Sequence, residues 1–478
     1  MISRNTIVGS FFWKFLERIS TQFISFFITI ILARILLPSD YGIIALVLVF
    51  IKISEVFIDC GFSTGLIQKK NTTDEDFSTI FYVSFVGASC FYILLYTISP
   101  LISGYYENEE LSTLLRVIGI SIFFSSFNSI QRTFVAKNFL FNKLFYGSTI
   151  SVLVSGAVGI WLAYMGYGVW ALVFQQLVSH MTTTLVLLYF VKWRPKLLFS
   201  IQSFKSLFDY SWKIFLTRLI TIFFVEIRTF LIAKFYSPSS LAFYERGRFF
   251  PSLCVDNINQ TIQTILFPVF SREQDDILVV RKMMRRSLQI SSYVLFPVLL
   301  GLFATSSSLV NVLLTPKWSD AVIFVKIFSV ASLFYGIQTI NVEVIKSLGY
   351  SGVILKMEYL KKLLEIIILI ISLYQGVTAI AYGVLCYNFF CIFINAYPVH
   401  KRVGYSIWNQ LKDILPNFIL SVIMFSLVWC TEYLISNAIY CLIIQILVGG
   451  LSYVLLSWLT QNDSFYYILS IIKEKVKS

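Results

Sequence analysis

Charged side chains inside long apolar runs are the residues of this chain that could do chemistry. In the first run, Lys14, Glu17, Arg18, Thr21 and Ser25 follow the spacing i, i+3, i+4, i+7 and i+11, so a helix places them on one face. A lipid-embedded helix cannot turn such a stripe toward hydrocarbon, so the stripe must face other helices or water. The pattern therefore predicts a polar surface inside a membrane protein.

Ten basic and six acidic side chains lie within runs of this kind. Burying each one costs ~2.5–3.5 kcal/mol at the centre of a membrane-spanning helix, so we expect none to face lipid. The basic residues are Lys14, Arg18, Lys52, Arg132, Lys213, Arg218, Arg228, Arg246, Arg248 and Lys326, and the acidic ones are Glu17, Glu55, Asp59, Glu226, Asp256 and Glu343. The excess of bases favours a water-filled cavity that attracts an anion. Arginine fits a phosphate group through two parallel hydrogen bonds.

From these charges we predict a cavity that binds a diphosphate. Its substrate-binding candidates are Arg18, Arg218, Arg132, Arg228, Lys14, Lys52, Arg246 and Arg248. Candidates for binding a coupling H⁺ or Na⁺ are the intramembrane carboxylates Asp59, Glu226 and Glu343. Internal ion pairing is the alternative that the spacing leaves open, within the pairs Lys14–Glu17, Lys52–Glu55 and Glu226–Arg228.

Residue patterns that carry enzyme chemistry are missing from the sequence. The only histidines are His180, for which we expect a buried and hydrogen-bonded ring, and His400, which we expect at a membrane interface. There is no P-loop or HExxH motif, and the seven cysteines are scattered through apolar runs without metal-ligand spacing. We therefore predict no catalytic residue, no metal site and no cofactor. Transport would then use an ion gradient or the substrate's own gradient.

Composition indicates which elements must position the charges. Hydrophobic residues make up 57% of the 478 residues and charged residues 13%, which excludes a water-soluble domain. The apolar runs are long and continuous, so the expected fold class is an all-α polytopic membrane protein and not a β-barrel. Fourteen spans are expected, at roughly 10–35, 41–62, 78–103, 111–137, 143–165, 167–191, 209–235, 240–268, 287–314, 320–347, 352–374, 377–400, 411–434 and 438–460.

The chain contains an internal repeat. Shifted by 200 residues, Arg18 meets Arg218 and Pro38 meets Pro238, with further Thr, Phe, Ala and Ser identities around them. The repeat pairs spans 1–6 with spans 7–12, and an even number of spans per half makes it parallel. A parallel repeat would set Arg18 and Arg218 on opposite walls of the cavity. We expect an N-lobe at 1–192, a cytoplasmic interfacial linker at 193–208, a C-lobe at 209–402, and two extra spans with a cytoplasmic tail at 403–478.

Lysines and arginines are concentrated on one set of alternate loops. This set includes 192–205, 272–286 and a group that we assign to a loop, Lys356, Lys361 and Lys362. By the positive-inside rule these loops are cytoplasmic, which also places both termini inside the cell. The segment 193–208 mixes aromatic and basic residues, which favours an amphipathic interfacial helix over a plain basic loop.

Three motifs carry a resemblance to a known family. The sequences ARILLPSDYG at 33–42, GFSTGLIQ at 61–68 and GYGVWALV at 166–173 resemble those of Wzx-type polysaccharide flippases, in the branch of colanic-acid and other exopolysaccharide exporters. This branch belongs to the multidrug/oligosaccharidyl-lipid/polysaccharide (MOP) exporter superfamily. The resemblance implies two six-helix lobes around a V-shaped cavity and alternating access. It also implies a polyprenyl-diphosphate-linked oligosaccharide as the substrate, moved from the cytoplasmic to the outer leaflet of a bacterial inner membrane.

Two other functions compete with the flippase interpretation. A multidrug or organic-cation antiporter of the same superfamily would prefer an acidic cavity, which the excess of bases disfavours. A membrane polysaccharide polymerase or ligase would also use lipid-linked sugars, but such enzymes usually carry a large outer loop, and the outer loops here are short. The expected partners are the lipid-linked oligosaccharide, membrane lipid, and polysaccharide polymerase and chain-length proteins, with no nucleic acid.

Overall fold

The computed structural model describes residues 4–477, which form eighteen α-helices joined by short connections. The helices are α1 (Arg4–Ile35), α2 (Pro38–Asp59), α3 (Phe62–Gln68), α4 (Asp74–Tyr106), α5 (Glu110–Gly119), α6 (Ser121–Lys137), α7 (Phe141–Tyr164), α8 (Val169–Phe190), α9 (Ile201–Phe235), α10 (Pro238–Arg272), α11 (Ile277–Leu313), α12 (Ala321–Ser332), α13 (Tyr335–Ser347), α14 (Ser351–Leu373), α15 (Val377–Val403), α16 (Ile407–Leu434), α17 (Ala438–Leu459) and α18 (Asp463–Lys477). No strand occurs within residues 4–477, and the all-α fold class is confirmed.

Ten helical segments in the described range are long and apolar enough to cross a membrane. They lie in α1, α4, α5 with α6, α7, α8, α11, α12 with α13, α15, α16 and α17. The other expected spans correspond to α2, α9, α10 and α14. Three of these four helices, α2, α9 and α10, hold ten of the sixteen charged residues that we placed inside spans. The count of fourteen stays a prediction.

The first compact unit comprises Met1–Ala242. In it α1 packs against α7, where Trp13 contacts the rings of Phe145 and Tyr146. The polar stripe of α1 turns toward the same helix, since Glu17 accepts a hydrogen bond from Ser148 at 2.9 Å. On another side of the unit, α9 packs along α2, α3 and α4.

The boundary of this unit falls later in the chain than the linker at 193–208. It lies after Ala242, because α9 packs on helices of the first unit along its length. The repeat, by contrast, pairs α9 with α1 as the first helix of each half. The lobe limits drawn from the repeat stay a prediction.

The segment between α8 and α9 differs from the expected interfacial helix. Residues 191–200 are not helical, and Pro195 lacks the N–H that a helix interior needs. Trp193 is 6% exposed and packs against Phe77, so this ring belongs to the core and not to a membrane surface. The Ser200 side chain caps α9, which then runs unbroken into the expected span.

The second compact unit comprises Phe243–Ser478, and α11 lies in its core. α11 packs most extensively against α16 and also contacts α17, α12 and α13. Asn417 on α16 donates hydrogen bonds to the Gln289 carbonyl at 2.8 Å and to Ser292 Oγ at 2.9 Å, both on α11. It also accepts one at 2.9 Å from Asn462, whose side chain caps α18. Buried amides therefore hold three helices together.

Tyr405 fixes the connection between α15 and α16. Its side chain is 2% exposed, and its hydroxyl donates a hydrogen bond to Asp413 Oδ2 at 2.6 Å. Arg285 binds the other carboxylate oxygen at 2.7 Å. Burial, and the hydrogen bond to a carboxylate, raise the pKa of Tyr405 above its usual value, so the phenol remains a donor.

Lys356, Lys361 and Lys362 lie inside α14, so their assignment to a loop was wrong. Lys361 is only 8% exposed and binds Glu358, while Lys362 binds Glu365 at 2.8 Å. Each pair is spaced i, i+3, so the acid neutralises the lysine on the same helix. The sequence inventory of charges inside spans omitted these residues.

Both halves of the repeat begin their second helix at a proline. α2 starts at Pro38 and α10 at Pro238, where the fixed φ of proline suits the first helical turn. Within the first unit, Gly42 lies against Pro238, and a Cβ at Gly42 would come within 1.8 Å of the Pro238 carbonyl oxygen. Glycine thus permits a direct backbone contact between α2 and the start of α10.

Candidate functional site

A charged cavity of about 390 Å³ lies inside the first unit. Helices α2, α6, α8 and α9 supply its walls. The lining residues are Lys52, Glu55, Val56, Ile58, Asp59, Ser125, Asn128, Ser129, Arg132, His180, Arg218 and Ile222. Four of the predicted site residues therefore meet in one place, namely Lys52, Asp59, Arg132 and Arg218.

α2 provides the longest charged edge of the cavity. Lys52, Glu55 and Asp59 are spaced i, i+3 and i+7, which the sequence predicted to be one face, and all three line the cavity. The helix ends at Asp59 because the next two residues adopt left-handed φ angles, 43° at Cys60 and 75° at Gly61. A Cβ at Gly61 would lie 2.7 Å from a carbonyl oxygen of α9, so the break in the helix is pressed against that neighbour.

Asp59 is the centre of a polar cluster at this break. Its Oδ2 accepts a hydrogen bond from Arg218 Nη1 at 2.5 Å. Its Oδ1 accepts from the Ser63 hydroxyl and from Ser129 Oγ, the latter at 3.2 Å. Arg218 Nη2 also donates to Thr64 Oγ1 at 3.3 Å. A predicted anion ligand and a predicted coupling acid are thus bound to each other.

Lys52 forms the second ion pair, with Glu226 on α9. The ammonium nitrogen lies 2.7 Å from Glu226 Oε1, and Glu226 is only 4% exposed. Thr229 donates a longer hydrogen bond to the second oxygen, at 3.4 Å. The spacing in the sequence predicted Glu55 as the ion-pair partner of Lys52, because the two residues are one helical turn apart. The ammonium instead reaches across to the neighbouring helix.

Glu55 takes part in a chain of hydrogen bonds with Ser125 and His180. Ser125 Oγ lies 3.2 Å from Glu55 Oε1 and 3.0 Å from His180 Nδ1. Asn128 donates to the His180 carbonyl at 3.1 Å, which fixes α8 against α6. His180 was expected to be a buried, hydrogen-bonded ring, and it is hydrogen-bonded, but it also lines the cavity.

α6 supplies the polar wall that the sequence analysis missed. Ser125, Ser129 and Arg132 are spaced i, i+4 and i+7 and all line the cavity. Only Arg132 was singled out from the sequence, although the spacing of the two serines places them on its face. Arg132 is exposed and forms no ion pair within the described residues, so its guanidinium presents unneutralised charge to the cavity.

The remaining predicted site residues are not among the cavity lining. In the first unit, Lys14 binds Glu17 at 2.6 Å, as the ion-pair alternative predicted, and Arg18 follows on the same helix. In the second unit, Arg248 binds Glu245 at 2.9 Å, and Arg246 lies 5.7 Å from the ring centroid of Trp318. Their role in binding a substrate stays a prediction, as does that of Arg228.

Glu343 is the one predicted coupling acid that belongs to the second unit. It is 5% exposed, and Oε1 lies 3.6 Å from the Lys346 ammonium one turn away. Within the described part of the chain, Oε2 has no hydrogen-bond partner. A buried carboxylate oxygen without a donor is costly, which makes this acid a candidate for taking up a proton or a cation.

The donor set of the cavity suits an anion better than a metal ion. The described residues contain no group of three or more His, Cys, Asp or Glu side chains placed to hold a metal. Guanidinium and hydroxyl groups, in contrast, donate hydrogen bonds to phosphate oxygens. The arrangement therefore offers hydrogen-bond donors to an anion, and binding of a substrate there stays a prediction.

Comparison with solved structures identifies the fold. Lipid II flippase MurJ in an inward closed conformation matches with a TM-score of 0.77 at 16% identity, over 95% of this chain and 99% of that one. An inward-facing multidrug resistance MATE family transporter of the MOP superfamily matches with a TM-score of 0.62 at 13% identity, over 80% and 94%. The fold is that of MOP-superfamily transporters.

Sequence comparison then gives the family. The family described as polysaccharide biosynthesis protein matches residues 31–323, and the chain belongs to it. The teichuronic acid biosynthesis protein TuaB of Bacillus subtilis is 23% identical, covering 84% of this chain and 85% of TuaB. The lipopolysaccharide biosynthesis protein WzxC of Escherichia coli is 22% identical, covering 63% and 62%. The resemblance to Wzx-type proteins is confirmed.

Proposed function

We propose that this protein flips polyprenyl-diphosphate-linked oligosaccharide units from the cytoplasmic to the outer leaflet of a bacterial inner membrane, for polysaccharide biosynthesis. The observation that carries the proposal is the cavity of the first unit, where Arg132 and the hydroxyl groups of Ser125 and Ser129 line a space of about 390 Å³. Membership of the polysaccharide biosynthesis family and the fold shared with a lipid II flippase support it. Transport requires no bond to be broken, so the protein acts without catalytic residues or a cofactor.

In this proposal the diphosphate binds first to Arg132, whose charge is not neutralised by an ion pair within the described residues. Arg218 and Lys52 become further ligands when they exchange Asp59 and Glu226 for phosphate oxygens. The other predicted bases, which lie outside this cavity, contribute at other stages of the cycle. They are Lys14, Arg18, Arg228, Arg246 and Arg248.

The same exchange offers a route for energy coupling. When an anion takes Arg218 or Lys52, the released carboxylate of Asp59 or Glu226 loses a cation and gains affinity for H⁺ or Na⁺. Glu343 is a third acceptor in the second unit, because its Oε2 has no donor in the described part of the chain. Asp59→Asn, Glu226→Gln and Glu343→Gln proteins are compared in vesicles with an imposed proton or sodium gradient. Full gradient dependence in all three variants would contradict coupling through these acids.

A multidrug antiporter is the second candidate, favoured by the fold shared with a multidrug resistance transporter. Such a protein binds organic cations, for which Glu55 and Asp59 are the acids in the cavity. The two candidates differ in the sign of the ligand's charge. An anionic ligand should bind to Arg132, whereas a cationic ligand should bind to the carboxylates of Glu55 and Asp59.

One experiment separates the two candidates. The purified protein is placed in vesicles with a fluorescent, short-chain polyprenyl-diphosphate sugar, and a membrane-impermeant quencher reports how much label crosses. We expect protein-dependent crossing of the diphosphate and much slower crossing of the matched monophosphate. Export of an organic cation in the same vesicles, without movement of the diphosphate, would favour the antiporter.

In cells, loss of the gene should trap the lipid-linked unit on the cytoplasmic leaflet and leave the polysaccharide polymerase and chain-length proteins without substrate.

A further inference from the structure

We propose that Glu55, Ser125 and His180 form a proton-binding relay, and that the proton they hold strengthens the binding of a phosphate-type anion in the same cavity. The relay adds a site to the three coupling acids considered above. The identity of the anion rests on the proposed function. The relay itself can be tested without any substrate.

The relay follows from the way one hydroxyl bridges two titratable groups. Ser125 Oγ is within hydrogen-bond distance of both Glu55 Oε1, at 3.2 Å, and His180 Nδ1, at 3.0 Å. A serine hydroxyl has a single proton, so it can donate to only one of them at a time and must accept from the other. The direction of the whole chain is therefore set by where its protons are.

Two arrangements satisfy all three groups. In the first, Glu55 is ionised and accepts from Ser125, which accepts from a protonated Nδ1 of His180. In the second, Glu55 is protonated and donates to Ser125, which donates to an unprotonated Nδ1, so the ring proton is on Nε2. The ring is neutral in both, and the second arrangement holds one more proton, on Glu55.

A proton that arrives at His180 Nε2 converts the first arrangement into the second. The Nδ1 proton moves to Ser125 Oγ as the original hydroxyl proton moves to Glu55 Oε1, and the ring keeps the new proton on Nε2. One proton enters, none leaves, and the negative charge of Glu55 disappears. No other reactant is needed.

The neighbours of the relay determine what this charge change does. The charged residues that line the same cavity are Lys52 and Asp59 on α2, Arg132 on α6 and Arg218 on α9, and no lining residue comes from the described parts of α4, α5 or α7. Lys52 is bound to Glu226, and Arg218 to Asp59. Arg132 is therefore the unneutralised cation opposite Glu55. Protonation of Glu55 removes the negative charge that repels an anion from Arg132, so anion affinity rises.

The two histidines make the tautomer directly measurable. In a His400→Gln protein labelled with ¹⁵N-histidine, the ring nitrogens of His180 report which one carries the proton. Acidification should shift the ring from the Nδ1–H to the Nε2–H tautomer while it stays neutral. Glu55→Gln and Ser125→Ala should abolish this change of tautomer, and Ser125→Thr, which keeps a hydroxyl, should preserve it. Thermal unfolding of each variant confirms that it is folded.

Three outcomes would overturn the relay. These are an unchanged tautomer in the parent protein, direct conversion to the imidazolium form, and an undiminished switch in Glu55→Gln. The link to anions is measured with farnesyl diphosphate as the probe. At each pH, the affinity of the parent protein for farnesyl diphosphate is divided by that of Glu55→Gln. This ratio should rise about tenfold on acidification, as expected for removing one negative charge near the anion. A constant ratio refutes the link. Failure of farnesyl diphosphate to bind at any pH refutes the proposed function, while the tautomer measurement still decides the relay.

Discussion

Arg218 on α9 binds Asp59 at the last turn of α2, with Nη1 2.5 Å from Oδ2. The two side chains are 46% and 14% exposed, so water screens the pair, and pairs of this kind contribute only ~0.2–1 kcal/mol to stability. The contact is therefore weak enough to be exchanged for another anion. A diphosphate that approaches Arg218 competes with a carboxylate already in place.

Asp59→Asn should increase the affinity for a diphosphate, because it removes the carboxylate that competes for Arg218. We expect several-fold tighter binding of farnesyl diphosphate and slower transport, since the bound anion is then released less readily. Arg218→Ala should weaken binding, and Arg218→Lys should restore part of it, because lysine keeps the charge but not the two-pronged geometry. Equal affinities in Asp59→Asn and the parent protein would show that the pair does not compete with the ligand.

Arg132→Gln should reduce diphosphate binding more than Arg218→Gln does. Arg132 is the cavity base without an ion pair in the described residues, whereas Arg218 is already neutralised by Asp59. We expect at least a tenfold loss of affinity, the effect of removing about one charge-assisted hydrogen bond. Arg116→Gln is the matched control, because Arg116 donates to Ser99 and lies away from the cavity. A similar loss in the control would indicate a general effect of basic charge.

Gly42→Ala should destabilise the protein, because the added Cβ would come within 1.8 Å of the Pro238 carbonyl oxygen. Backbone has to move to make room, and overpacking of this kind costs ~1–3 kcal/mol. Gly87→Ala, in α4, is the control, since nothing lies within 4 Å of its Cβ position and alanine favours helix over glycine by ~1 kcal/mol. Thermal unfolding in detergent should show a lower midpoint for the first variant and an unchanged or higher one for the second.

Cysteines placed at Asn71 and Gln274 should face the cytoplasm, and cysteines at Glu109 and Ser436 the outside. The expectation rests on the positive-inside rule, and all four positions lie in connections between helices. A membrane-impermeant thiol reagent is applied to whole cells that express a version without its seven native cysteines. Labelling at Asn71 as fast as at Glu109 would reverse or invalidate the topology.

The helical spacing in the sequence predicted which side chains share a face. Lys52, Glu55 and Asp59 line one cavity, as their positions on α2 require. What the spacing could not predict is the partner of Lys52, because Glu226 lies 174 residues away on a helix whose packing depends on the whole fold. Spacing along one helix identifies only pairs that are three or four residues apart.

His180 shows a different limit of the sequence analysis. A single histidine in an apolar run is more often a buried core residue than a functional group, and that interpretation described its hydrogen bond but not its place in the cavity. Ser125 and Ser129 carried a usable signal, since both share a helix face with Arg132. Serine is common in membrane helices, so the two serines alone do not indicate a site. The packing of α6 against α8 is what places their hydroxyl groups in the cavity.

The order of synthesis has a consequence for the second unit. α11 is made before its packing partners α16 and α17, which are the last long helices to leave the ribosome. Until then, the hydrogen bonds from Asn417 to Ser292 and to the Gln289 carbonyl cannot form, and the face of α11 that packs on α16 has no partner helix. During membrane insertion we expect this surface of α11 to remain without its final packing partners. A chain truncated before Ile407 would keep it exposed and become a substrate for membrane proteases.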